Sequence, residues 1–128
     1  IEKEWEKSAR GVDGRDYPWG EAMGYQNDYA NTCDFVIGRT SSVTEFEQGI
    51  SPFGCFDMAG NVWEWCVQLY STGHVTQRVA RGGSWLNYMV HSKCTYRNTF
   101  DPDERYPASG FRCVSLPLTL VDDIEDDD

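Results

Sequence analysis

The sequence predicts an α+β domain: one helix, a few short strands and much irregular chain. Three observations carry this. A helical repeat is confined to the first ten residues. Short alternating apolar runs stand at 61–66, 78–85 and 110–116. Between Glu21 and Gly49 there is little periodicity, and Asn, Asp, Gly, Ser and Thr dominate.

Each element has a local cause. In "IEKEWEKSAR" Ile1, Trp5 and Ala9 share one helical face, Glu6 reaches Arg10 at i+4, and Gly11 is a natural stop. "GVDGRDYPWG" supplies a turn at Asp13-Gly14 and an extended Tyr17-Pro18-Trp19. A short strand is expected at Phe35–Ile37 within the ordered loops of 21–49. "NVWEWC" reads as a strand that points Val62, Glu64 and Cys66 one way and Trp63 and Trp65 the other. "RVARGGSW" (78–85) is a second, with a bulge or close backbone approach at Gly82-Gly83. "GFRCVSL" (110–116) is a third, with Phe111 and Cys113 facing in and Arg112 out. Trp5, Trp63, Trp65 and Trp85 are expected in the core.

Composition narrows the class. The 128 residues make one domain's worth of chain. Aromatic content of 14%, with five Trp and seven Tyr, suggests a loop-rich core fastened by large rings. The net charge of −10 argues against nucleic acid, which demands a basic surface. Six of the acids lie in "VDDIEDDD", and without them the balance is −4, so 119–128 reads as a solvated, disordered acidic tail after a domain at 1–118. No stretch is long and apolar enough for a membrane span, and the N-terminal residues do not read as a signal peptide. Five cysteines at 33, 55, 66, 94 and 113 form no CxxC, and His74 and His91 stand alone. The odd count leaves a thiol unpaired within the chain. Cell-surface or secreted and cytoplasmic locations both stay open.

Four blocks in order, "EWEKSARGVDGRDYPWG", "SPFGCFDMAGNVWEWC", "RVARGGSW" and "SGFRC", span residues 4 to 113. They resemble the formylglycine-generating-enzyme/sulfatase-modifying-factor superfamily. The resemblance implies a C-type-lectin-like fold, loop-rich with few short strands and one or two helices, often steadied by calcium. It also implies a further portion before the helix in most family domains. Cys66 and Cys94 both recur in family members, which leaves a disulfide between them open.

The family's oxidase converts a substrate cysteine to formylglycine with a Cu(I)-binding cysteine pair, because a soft ion needs converging thiolates. Counting from Gly82-Gly83-Ser84-Trp85, that pair falls at Asn87 and Ser92, so no copper is expected; Cys94 alone cannot make the site. His91 reads as an ordinary surface histidine, and the histidine set of the iron-dependent sulfoxide-synthase branch is missing. A structural calcium is implied at Asp57 and Glu64 with the carbonyls of Gly60 and Val62, since calcium takes six to eight oxygens. The plainer alternative pairs Glu64 with an arginine while Asp57 caps a turn. A second calcium site is matched at Asn31 and Asp34.

Between "RGGSW" and "GFR" lies a stretch that resembles the variable segment of proteins targeted by diversity-generating retroelements. Thr99-Phe100-Asp101 and Tyr106-Pro107-Ala108 stand where asparagine runs occur in template forms. All six residue types are reachable from AAC by changing adenines only; Glu104 is not. The resemblance implies that residues 86–109 display a binding surface for a protein or cell-surface ligand, with Asn87, Tyr88, Thr99, Phe100, Asp101, Glu104 and Tyr106 in contact. Aromatics supply area at low entropy cost there, and acids supply orientation. The expectation is a non-catalytic ligand-binding domain. The alternatives are an oxidase-family enzyme or fragment without its cysteine pair, and a structural or carbohydrate-binding module.

Overall fold

The computed structural model describes residues 1–21 and 28–115. The proposed acidic tail at 119–128 lies outside the described residues. The expected helix forms at Glu2–Arg10 (α1). The strands are Trp63–Thr72 (β1), Val75–Arg81 (β2), Arg97–Phe100 (β3) and Ser109–Gly110 (β4). They make one sheet in the order β3-β2-β1-β4, antiparallel except for the short β1–β4 pairing. Single turns of 3-10 helix occur at Cys33–Phe35, Glu47–Gly49 and Met89–Ser92.

Helix α1 buries Trp5 and Ala9 as the spacing demanded, while Ile1 stays half exposed. Arg10 reaches Glu6 at 3.4 Å, and the Gly11 N–H donates to the Lys7 carbonyl at φ 72°, closing the helix. Registration sets the two faces of the sheet, because successive strand residues alternate. Glu64 pairs with Arg81 and Arg81 with Arg97, so these three share the face toward α1. Trp65 pairs with Ala80 and Ala80 with Asn98 on the other face.

Beneath α1 lie Trp5, Ala9, Met58, Cys66, Val79 and Cys94. Arg81 is buried among them; its two terminal nitrogens are met by partners, while its Nε is buried with none among the described residues. It donates to Glu2 at 2.6 Å, to Glu6 at 2.8 Å and to the Cys94 carbonyl, and its guanidinium lies 5.3 Å from the Trp5 ring centre. All five cysteines are free thiols, Cys66 and Cys94 inside the same core.

Four expectations need correction. The segment at Phe35–Ile37 is no strand: the turn Cys33–Phe35 ends at Val36 in a left-handed conformation (φ 50°), and Val36 is exposed, so nothing there recruits a partner strand. The third strand shrinks to Ser109–Gly110. Beyond it Phe111 is 76% exposed and Cys113 is exposed, while Arg112 turns toward Glu64, the reverse of the expected orientation. The ion pair with a buried carboxylate outweighs the alternation of a segment that has no ladder to hold it. The second strand runs over Val75–Arg81 and ends before Gly82. Finally, Trp5 and Trp63 are buried, but Trp65 and Trp85 are only partly so.

Candidate functional site

Two regions carry the expected site residues: the turn that leads into β1, and the stretch from 86 to 109.

The turn is wound tightly. Asp57, Gly60 and Asn61 all take positive φ (52°, 75° and 65°). At Gly60 a Cβ would run into the Asn31 carbonyl, so the residue must be glycine for space as well as for conformation. Backbone bonds clamp both ends. The Gly60 N–H donates to Gly82 at 2.7 Å, Asn61 to Asn31 at 2.8 Å, and Trp85 to Asn61 at 2.9 Å. The Asn61 side chain accepts the Ser41 N–H at 3.0 Å and donates to Asp57 Oδ2 at 3.3 Å. The turn is thereby tied to both neighbouring loops.

Its carboxylates are treated unequally. Glu64 accepts the Trp5 indole N–H at 2.5 Å and two bonds from Arg112, at 2.8 and 2.5 Å. Arg112 also donates to the carbonyls of Phe56 and Asp57. Among the described residues, Asp57 forms no ion pair. Its Oδ1 is buried with no partner among the described residues. Burial pushes its carboxyl up to about 6, against the pull of Arg112 and with a further push from Glu64. A cavity of about 320 Å³ opens here, lined by Asp57, Asn61, Val62, Glu64, Phe111 and Arg112 among others.

One atom of this turn suits a calcium ion, the buried Asp57 Oδ1. It is a hard oxygen with no hydrogen-bond partner among the described residues, close enough to Arg112 to feel its charge. Glu64 would have to share its carboxylate between the ion and Arg112. At the second expected site, Asn31 and Asp34 serve different elements. The Asn31 amide donates to the Arg39 carbonyl at 2.9 Å and to Ser41 Oγ at 3.0 Å, with its Oδ1 buried and unpartnered among the described residues. Asp34 accepts the Met89 N–H at 2.7 Å, holding the start of the turn at 89–92. Among the described residues, no three His, Cys, Asp or Glu side chains stand close enough to share an ion.

The positions matched to the copper-binding thiols hold neither soft donor nor free space. Asn87 Oδ1 accepts the Trp63 indole N–H at 2.9 Å and the Ser84 hydroxyl at 2.5 Å, and the Asn87 carbonyl accepts the Cys33 N–H. Ser92 is fully buried against Gly83. These residues do not fit a Cu(I) site. The nearby Cys94 is buried too, and burial pushes its thiol up to about 11, so it stays protonated at neutral pH.

Within the stretch from 86 to 109, Tyr96, Phe100 and Tyr106 gather on the sheet face opposite α1, while Cys94, Arg97 and Thr99 lie on the α1 side. Phe100 stands edge-on to Trp63 (5.9 Å) and Trp65 (5.6 Å) and stacks with Tyr106 at 5.3 Å and 27°. Tyr96 extends the row between Trp63 and His91. Tyr88, Asp101 and Glu104 are exposed, and Phe100 and Tyr106 are half-buried. Thr99 lies on the α1 side of β3, where its hydroxyl donates to Gln77 at 2.8 Å. Asn87 is an internal strut. Sequence reasoning placed Trp65 in the core, whereas it borders this surface; the strand at 97–100 that brings them together gave no alternating apolar signal.

Among the described residues, one α-helix laid on a small four-stranded sheet is the C-type-lectin-like architecture of the formylglycine-generating-enzyme type. The family model for the sulfatase-modifying factor enzyme 1-like domain matches residues 1–116, and the chain belongs to that family. It is 33% identical over 130 residues to the inactive C-alpha-formylglycine-generating enzyme 2 of Bos taurus, covering 90% of this chain and 42% of that protein. It is 28% identical over 148 residues to the formylglycine-generating enzyme of Mus musculus, covering 95% and 40% respectively. Among solved structures, Treponema denticola variable protein 1 superposes with a TM-score of 0.77 at 26% identity, over 87% of this chain and 44% of that one. The chain therefore spans less than half the length of each.

Proposed function

We propose that this domain is a non-catalytic ligand-binding module that displays residues 86–109 as its contact surface for a protein or cell-surface ligand. The observation that carries this reading is the half-exposed row of rings, Trp65, Phe100 and Tyr106, on the sheet face opposite α1. Rigid aromatic side chains on a firm scaffold give contact area with little ordering cost. The likeness to an inactive enzyme homologue and to a variable protein supports the same reading. The copper-oxidase alternative loses support because Asn87 and Ser92 occupy the thiol positions. Calcium at Asp57 is part of the proposal, as a stabiliser of the turn beneath the surface.

The test is selection from a random peptide library displayed on phage. The parent chain is expected to enrich a defined population that a folded Phe100→Ala/Tyr106→Ala variant fails to capture. Enrichment of the same population by both proteins would overturn the reading. Diversification by a retroelement is tested on the coding DNA: a reverse transcriptase beside a near-copy of codons 86–110, differing at adenines, is the expected neighbourhood. Its absence would remove that part of the proposal and leave the binding role standing.

A further inference from the structure

We infer that the ligand of this surface is a protein segment anchored by an arginine or lysine side chain, an inference that rests on the ligand-binding reading above. Two features meet at Phe100. The first is the ring row itself, whose faces attract cations through the aromatic quadrupole. The second is the turn that follows β3, which carries Asp101, Asp103 and Glu104, all exposed. The turn is ordered by its own bonds: Asp101 Oδ1 accepts the Asp103 N–H at 3.1 Å, and the Asp101 carbonyl accepts the Glu104 N–H at 3.0 Å. Among the described residues, none of the three carboxylates takes part in an ion pair.

Arg97 pairs with Glu2 on the α1 side of the sheet, whereas Arg78, opposite Phe100, donates to the Val67 carbonyl and pairs with none of the three acids. Arg105 is the one basic residue between 98 and 109, against three acids. A purely apolar ligand would strip water from these carboxylates without replacing it, and an acidic one would be repelled. An arginine answers both features at once: its guanidinium lies flat on a ring and donates to carboxylates from its edge. Arginine is also among the residues that dominate protein interfaces.

The full chain is titrated by calorimetry with three peptides of equal length. One carries two arginines flanking a tryptophan; the others replace both arginines by glutamine or by glutamate. The arginine peptide is expected to bind at least about tenfold more tightly than either, and less tightly as salt is raised. An Asp101→Asn/Asp103→Asn/Glu104→Gln variant, which keeps the acceptors of the turn, should erase that preference. Equal binding of the glutamine peptide, full retention of the preference in the amide variant, or no arginine-peptide binding up to millimolar concentration would each overturn the inference. The library selection separates this failure from the other: peptides that depend on Phe100 and Tyr106 but carry no excess of basic residues sink the basic anchor and leave the binding surface intact.

Discussion

Glu64 on β1 receives the indole N–H of Trp5, 59 residues earlier in the chain, and the guanidinium of Arg112, 48 residues later. One buried carboxylate thus joins the helix, the sheet and the segment after β4. Its neighbour Asp57, in the same cavity, has a carboxylate oxygen with no such partner.

Removing the cation should therefore hurt more than its partial exposure suggests. Arg112→Ala leaves Glu64 charged and buried, and is expected to cost about 3 kcal/mol in urea denaturation. Glu64→Gln, which keeps an acceptor for Trp5, should cost less. A loss under about 1 kcal/mol for Arg112→Ala would mean that the pair is solvent-screened and holds little together.

Asp57 makes stability depend on pH in an unusual direction for an acid. Its carboxyl titrates at about 6 in the fold against an ordinary 3.8, so the native state holds the proton more tightly than the unfolded one. Its contribution is greatest below pH 3.8 and is lost as pH rises toward and through 6. With chelator present, Asp57→Asn should be more stable than the parent at pH 7 by roughly 2 kcal/mol, and the gap should close near pH 4. A gap that is constant with pH would refute the assignment.

Calcium would invert that result. An ion seated against Asp57 needs the charged carboxylate, so the parent should melt several degrees higher in millimolar Ca²⁺ than in chelator. An ion at about a hundredfold its dissociation constant adds roughly 2.7 kcal/mol. Asp57→Asn should lose the response, and a parent whose melt ignores the ion carries no calcium there.

Glycine positions offer a control on the backbone. Gly60 and Gly73 share a positive φ, yet only at Gly60 does a Cβ meet neighbouring backbone. Gly73→Ala should cost about 1 kcal/mol for conformation alone, and Gly60→Ala should cost at least twice that. Equal losses would show that Asn31 can move aside.

Much of the scaffold was legible because its signals are local. Trp5 and Ala9 lie on one helical face whatever the rest does, and Val62 to Cys66 alternates because a strand has a period of two. Motif order carried the family, and with it the positions of Asp57 and Glu64. The binding surface was legible only as a segment. Its strand, Arg97–Phe100, is polar at three of four positions, and forms because β2 offers it a register, Arg78 opposite Phe100 through Arg81 opposite Arg97.

What the sequence determined by itself, then, was the set of short-range commitments: helix, alternation, turn glycines, and the lack of thiols at positions 87 and 92. Tertiary structure alone decided which charge meets which. Arg112 faces inward because a buried Glu64 is waiting there, Asn87 turns in because the Trp63 N–H needs an acceptor, and Asp57 is left with an open oxygen. Such pairings join residues 24 to 59 positions apart, and burial, which no local period encodes, sets their strength.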